Sequence, residues 1–199
     1  IPLRLVGSEM CIRDRLHGFT VNQTFDVQLN SNGVCCRYKY DGHYEFYPFP
    51  CDLEIHYALG AEGFSFKAIV RNTGTQVLPF HIGWHPYFKV QRNWGLTPEP
   101  TVRLIKNEFS YPGEEIPYAG HEWAEEVDGA FFYSDNPRIS NDEYTLEIKK
   151  LAPIVQIFRP ANAPFIAVEP VTGLGHPDFP WIEVPPGQYR EIRTAITLV

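Results

Sequence analysis

The chain has 199 residues, of which 44% are hydrophobic and 15% aromatic, and its formal net charge is -7. That length suits one domain, or most of one larger all-β domain, with apolar material enough for a sizeable core. Without a Lys/Arg cluster it lacks the basic surface that nucleic-acid binding needs to displace counterions, and no apolar run approaches the roughly 20 residues of a spanning helix. Neither nucleic acid nor a membrane is therefore expected as a partner.

Ile1 to Arg15 (IPLRLVGSEMCIRDR) reads apart from the rest. Its run Val6 to Arg15 looks like a translated sequencing adaptor, so residues 1–15 are expected to be non-native and to form no core strand. On this reading the domain occupies residues 16–199, is partial, and continues an upstream sequence not present before Leu16.

From there on, period-two patterns dominate. Leu53, Ile55, Tyr57 and Leu59 alternate with mostly polar neighbours (Ala58 the exception), as do Phe64, Phe66, Ala68 and Val70 (Ile69 the exception), and later Tyr144, Leu146 and Ile148. Each reads as a strand with one face in a core. Phe25–Leu29, Val34–Tyr40, Thr101–Ile105, Ile154–Phe158 and Ile192–Val199 add further strands. Turns are predicted at Asn32-Gly33, Asp41-Gly42, Gly60 to Gly63, Asn72 to Gly74 and Pro185 to Gly187. The 18 Pro and 15 Gly leave hardly any room for a capped helix. The pattern predicts an all-β, antiparallel fold of sheets packed face to face, with Gln91–Pro100 and Ser110–Gly129 as the longest irregular stretches. Cys11, Cys35, Cys36 and Cys51 have no CxxC spacing and two of them are adjacent, so reduced thiols in a cytoplasmic protein are expected, with neither a disulfide nor a metal site.

Two stretches carry chemistry. Pro79-Phe80-His81-Ile82-Gly83-Trp84-His85-Pro86-Tyr87-Phe88 offers an imidazole, and Ala167-Val168-Glu169-Pro170-Val171-Thr172-Gly173 a carboxylate. Alone, a His-Pro pair is an ordinary turn and a Glu-Pro pair an ordinary strand end. Together, among aromatics, they are a kit for acid–base work on a sugar: imidazole gives a proton near neutral pH, carboxylate takes one, and flat rings suit a pyranose face. Trp84, Phe88, Trp123 and Phe131 could supply such a wall, although most aromatics in such a chain are core. His81, His121 and His176 read as surface or core residues.

The ordered set goes further. Leu16-His17-Gly18-Phe19, Tyr47-Pro48-Phe49, a strand ending Val70-Arg71-Asn72-Thr73-Gly74, Pro79-Phe80, His85-Pro86-Tyr87-Phe88, Val127-Asp128-Gly129-Ala130-Phe131, Ala167–Gly173 and Pro186-Gly187 follow in the order of the aldose 1-epimerase (galactose mutarotase-like) family, which the chain resembles from residue 16 onward. The resemblance is to its divergent His-Pro-Tyr-Phe branch. It implies an antiparallel β-supersandwich, lacking N-terminal strands here, with His85 as proton donor and Glu169 as catalytic base. It also implies sugar-binding roles for His17 and Asp128. The chain departs from the family at Thr20 and Val21, where a basic residue is common, and in lacking the upstream sugar-binding arginine.

Interconverting α and β anomers of a hexose needs only ring opening, rotation and closure. One acid and one base suffice, without metal or cofactor, and the partner is a small sugar. A hexose 6-phosphate as substrate would call for extra cations, for which Arg71, Lys89, Arg92 and Arg159 are available. A silent carbohydrate-binding module on the same sandwich is the non-enzymatic alternative. The acid–base reading places His85 and Glu169 on one sheet face, on either side of a cleft bordered by His17 and Asp128.

Overall fold

The computed structural model describes residues 3–6, 18–90, 93–106, 112–120, 123, 125–174 and 180–199. The chain is all-β, and the one helical turn among the described residues is a 3-10 turn at Phe19–Asn22. The first strands are β1 (Leu3–Val6), β2 (Asp26–Asn30), β3 (Gly33–Tyr40), β4 (Cys51–Gly60), β5 (Gly63–Asn72), β6 (Leu78–Trp84), β7 (Tyr87–Lys89) and β8 (Gly95–Thr97). Then come β9 (Val102–Lys106), β10 (Pro112–Pro117), β11 (Val127–Phe132), β12 (Arg138–Ser140) and β13 (Thr145–Ile148). The last are β14 (Ile154–Arg159), β15 (Phe165–Pro170), β16 (Ile182–Val184) and β17 (Tyr189–Leu198). No helix among the described residues is long and apolar enough to cross a membrane.

Two compact units can be distinguished, one comprising Arg4–His81 and Trp181–Ala195, the other Ile82–Pro180 with Ile196–Val199. In the first, β2 to β5 form an antiparallel meander. Its outer hairpins close through two residues each, Asn30 pairing with Gly33 and Gly60 with Gly63. Such short turns match the strand twist and fix the register. That register turns Cys51, Leu53 and Ile55 of β4 and Phe66, Ala68 and Val70 of β5 into the core, all at most 2% exposed. Each large apolar side chain so buried contributes about 1.5–3 kcal/mol. The opposite face carries Asp52, Glu54 and His56, half-buried among charged neighbours.

The Tyr47-Pro48-Phe49 stretch has a structural task. Tyr47 is buried with Phe19 and Tyr40 in an aromatic cluster. Its hydroxyl donates to the Pro79 carbonyl at 2.8 Å, while the Tyr40 hydroxyl donates to the Tyr47 carbonyl at 2.7 Å. Asn72 binds the end of β5 to the residues before β17. Its side-chain amide donates to the carbonyls of Val184 (2.7 Å) and Gln76 (2.6 Å), and its Oδ1 accepts from the Gly74 N–H. The predicted turn at Asn72–Gly74 is thus an Asn side chain standing in for backbone.

Residues 1, 2 and 7–17 lie outside the described residues, so the expectation for the adaptor-like segment falls mostly there. Within it, the backbone of Leu3–Val6 forms β1, an edge strand next to β6.

In the second unit a six-stranded antiparallel sheet runs β10-β9-β11-β14-β15-β7. One face of it packs Phe88, Val127, Phe131, Val155, Ile157, Ile166 and Val168 against Leu96, Ile139 and Ile148 of β8, β12 and β13. The other face carries a smaller apolar group, Leu104, Ala130, Ile154 and Val171. Strands β14 and β15 are buried on both faces, which explains why their sequences read as near-continuous apolar runs. The stretch Ser110–Gly129, expected to be irregular, contains β10 and the start of β11. Two prolines bound β10, which an edge strand tolerates because its outer N–H groups need no partner.

His81 in the first unit is 1% exposed, its ring 4.2 Å from that of Trp181. Burial pushes its pKa down to about 4 from 6.5. Between those values the unfolded chain binds a proton that the folded chain refuses, so stability falls as pH drops through this window. The full loss is on the order of 3 kcal/mol at pH 4, and none of it is felt above pH 7. Urea unfolding of wild type and His81→Asn between pH 4 and 7.5 checks this: the variant should show a shallower fall in stability between pH 6.5 and 4 than the wild type.

Candidate active site

The site lies on that second face of the six-stranded sheet, and the register builds it. Glu169 of β15 pairs with Gln156 of β14, which pairs with Ala130 of β11. Directly opposed residues of antiparallel strands point to one side, so Glu169, Gln156 and Ala130 share a face with Asp128, two residues before Ala130. On the same face Phe158 pairs with both Asp128 and Ala167, and Ala167 with Tyr87 of β7.

His85 sits between β6 and β7. Pro86, which follows it, has no N–H to donate, so the β6 ladder stops and the chain re-pairs as β7 beside β15. The His85 Nε2 atom lies 3.1 Å from Glu169 Oε1, with side chains 5% and 1% exposed. At that distance a proton held by either group is within reach of the other. The Tyr87 ring, itself 52% exposed, stacks on the imidazole at 4.7 Å, and Phe158 meets it edge-on at 6.3 Å. The sequence reading put His85 and Glu169 on either side of a cleft. They share a face as expected but touch, because the end of β6 is drawn directly onto the end of β15.

That approach has an identifiable cause. Gly83 forms a bridge with Val171. Next to it the Ile82 N–H donates to Thr172 Oγ1 and the Thr172 N–H to the Ile82 carbonyl, both at 2.9 Å. A Cβ at position 83 would come within 2.7 Å of Val171 Cγ1 and 3.3 Å of the Pro170 carbonyl oxygen. Only a glycine lets the two segments close this far, two residues before His85 and two after Glu169.

Asp128 is exposed, and its Oδ1 accepts from Gln156 Nε2 at 2.8 Å. Gln156 is 6% exposed. The row Asp128, Gln156, Glu169, His85 therefore crosses β11, β14 and β15 on one face. Gln156 was missed in the sequence; its one signal was an amide in the middle of the apolar run Ile154–Phe158. His17 lies outside the described residues. Trp84, Phe88 and Phe131 are core, the last two on the opposite face of the sheet, and Trp123 packs with them. Arg159 also faces away from Asp128: it is buried, donates to the Ala163 carbonyl at 2.7 Å and lies over the Trp94 ring. Lys89 lies on the Tyr87 side of β7.

Gly83→Ala should destabilise the chain by about 1–3 kcal/mol, the usual cost of overpacking. Adding Val171→Ala should recover part of the loss, because the two changes share one contact. Denaturant midpoints of the two single variants and the double variant test this; strict additivity would contradict it.

Comparison with known proteins places the fold. The sequence model of the family described as aldose 1-epimerase matches residues 12–196. A candidate aldose 1-epimerase from Escherichia coli K12 superposes with a TM-score of 0.78 at 20% identity, over 92% of this chain and 71% of that one. A galactose mutarotase-like protein from Lactobacillus casei gives 0.77 at 23% identity, over 92% and 76%. One from Clostridium acetobutylicum gives 0.75 at 13% identity, over 92% and 68%. Comparison with curated proteins gives no match.

Proposed function

We propose that this chain, which belongs to the aldose 1-epimerase family, interconverts the α and β anomers of a free hexose through His85 and Glu169. The observation that carries the reading is the buried contact between these two side chains at 3.1 Å. The C1 hydroxyl and the ring oxygen of a pyranose are bonded to the same carbon. An acid and a base that serve both must therefore stand side by side, as these do. Glu169 removes the proton from the C1 hydroxyl while His85 gives one to the ring oxygen. The bond from C1 to the ring oxygen breaks, and an aldehyde forms at C1. After rotation about C1–C2 the two transfers run backwards and the ring closes on the other face.

Asp128, held by Gln156, accepts hydrogen bonds from sugar hydroxyls and fixes the reacting atoms, with His17 assigned a like role. Tyr87 offers a flat apolar surface beside the imidazole. The free sugar is the leading substrate because Arg159 of β14 is committed to the opposite face; Lys89, on the Tyr87 side of β7, is the cation that a 6-phosphate would have to use. Residues 16–199 are the functional domain on this reading, and none of residues 1–15 is assigned a role in the chemistry.

Polarimetry of freshly dissolved α-glucose or α-galactose should show faster mutarotation on adding the protein, with no cofactor. Glu169→Gln keeps size and reach while removing the base and should slow turnover by roughly 10²–10⁴-fold. His85→Asn should cost a similar factor, and the double variant much less than the product of the two. Full activity in Glu169→Gln rules out the assigned base, and sugar binding without any acceleration points to a binding module instead. A higher kcat/KM for glucose 6-phosphate than for glucose would reverse the substrate assignment.

A further inference from the structure

The outer face of the meander in the first unit holds a second cluster of chemically able side chains, with Cys35 buried and Glu54 and His56 half-buried. Among the described residues, Cys35, Glu54 and His56 bring one donor atom each within 4.8 Å of one another. Strand register assembles them. Cys35 of β3 stands directly opposite His56 of β4, and Glu54 lies two residues from His56 on the same face. Cys35 Sγ is 3.9 Å from His56 Nε2, and Glu54 Oε1 is 2.5 Å from the same nitrogen. Cysteine, histidine and glutamate would suggest a nucleophile, a base and an orienting carboxylate. A relay of that kind needs the thiol on one ring nitrogen and the carboxylate on the other. Here both converge on Nε2, which is the arrangement for a shared cation.

We propose that Cys35, Glu54 and His56 form a binding site for a single thiophilic divalent cation of the zinc type, with a fourth position open to water. A tetrahedral zinc, about 2.3 Å from sulfur and 2.0–2.1 Å from nitrogen, sets those two donors roughly 3.5 Å apart. The Cys35–His56 spacing is already close to this. Only the Glu54 oxygen must retreat from Nε2, by about 1 Å on the same geometry. The Glu54 side chain, 31% exposed, has room to do so. Thiolate and carboxylate together balance the charge of the cation, and a thiolate–imidazole–carboxylate set favours zinc over calcium or magnesium.

The surroundings support the carboxylate. Arg37 Nε donates to Glu54 Oε2 at 2.7 Å, leaving Oε1 for the cation, and Arg37 is itself steadied by Gln28 Oε1 at 2.9 Å. An outer partner of this kind orients a ligand without competing for its donor oxygen. Lys67, opposite His56 on β5, is the neighbouring cation on the other side. Cys36 pairs with Ile55 and faces the other way, so it takes no part. Linear spacing could not reveal this site, because its ligands come from two strands and meet only through their register.

The site draws on the first unit alone and does not depend on the acid–base reading of His85 and Glu169. Its test is a titration of the full chain with Cd2+, following the ultraviolet thiolate-to-metal band, then displacement by Zn2+. One equivalent should saturate the band, and Zn2+ should remove it. Cys35→Ser should abolish it, while Cys11→Ser and Cys36→Ser should leave it unchanged. His56→Gln, at a half-buried position that tolerates the change, should weaken Zn2+ binding by at least tenfold with the circular dichroism spectrum intact. Arg37→Gln should weaken it by roughly 10–100-fold, the usual cost of losing an outer partner. Absence of a stoichiometric band, its survival in Cys35→Ser, or unaltered affinity in a folded His56→Gln would each overturn the proposal.

Discussion

The close approach of Gly83 to Val171 is the constraint on which the candidate site depends. A strand end normally stops a full side chain short of its neighbour. Here the missing Cβ allows the chain around residue 83 to reach the end of β15, and the paired Ile82–Thr172 hydrogen bonds hold it there. The residues that follow directly, through β7, start from this contact. Pro86 ends the β6 ladder, β7 re-pairs with β15, and His85 is left against Glu169. The geometry of the pair is thus set by backbone, which is stiffer than any side-chain arrangement could be.

Polar groups on this face are placed among apolar ones rather than apart from them. Glu169 and Gln156 are nearly inaccessible, with Ala130, Ile154 and Leu104 on the same face. Low local polarity strengthens each interaction they make and raises the cost of leaving one unmade. Two residues with the same acidic chemistry therefore stand in different surroundings: Glu169 is enclosed beside an imidazole, whereas Asp128 is exposed and anchored by an amide. That contrast suits one to proton transfer and the other to holding a hydroxyl group.

Much of the fold was legible because antiparallel strands with one wet face must alternate. Strands β4, β5 and β13 match the segments where alternation was predicted, and β2 and β3 the predicted runs, within a residue or two at most ends. Of the two strands wet on neither face, β14 was read from its apolar run, whereas β15 was singled out through its Glu-Pro signal. Short edge strands such as β10, with prolines at its ends, gave no pattern at all. For the candidate site, His85, Glu169 and Asp128 stood out because they interrupt apolar runs next to proline or glycine. Gln156 also interrupts such a run, but without a breaker beside it, and its significance is the cross-strand register that pairs it with Glu169. The Cys35–Glu54–His56 group was illegible for the same reason, since register is a property of two strands and not of one.

The distance along the chain between residues 85 and 169 bears on how the pair comes into being. Closing so long a loop costs little more than closing a shorter one, since the entropy grows only logarithmically with length, but it delays the contact. A chain emerging from its N-terminus can complete the β2–β5 meander from neighbouring residues alone, whereas His85 must wait for β11, β14 and β15. The imidazole–carboxylate contact thus reports the arrival of β15 against the end of β6, and a partly folded chain can have native hairpins and no site.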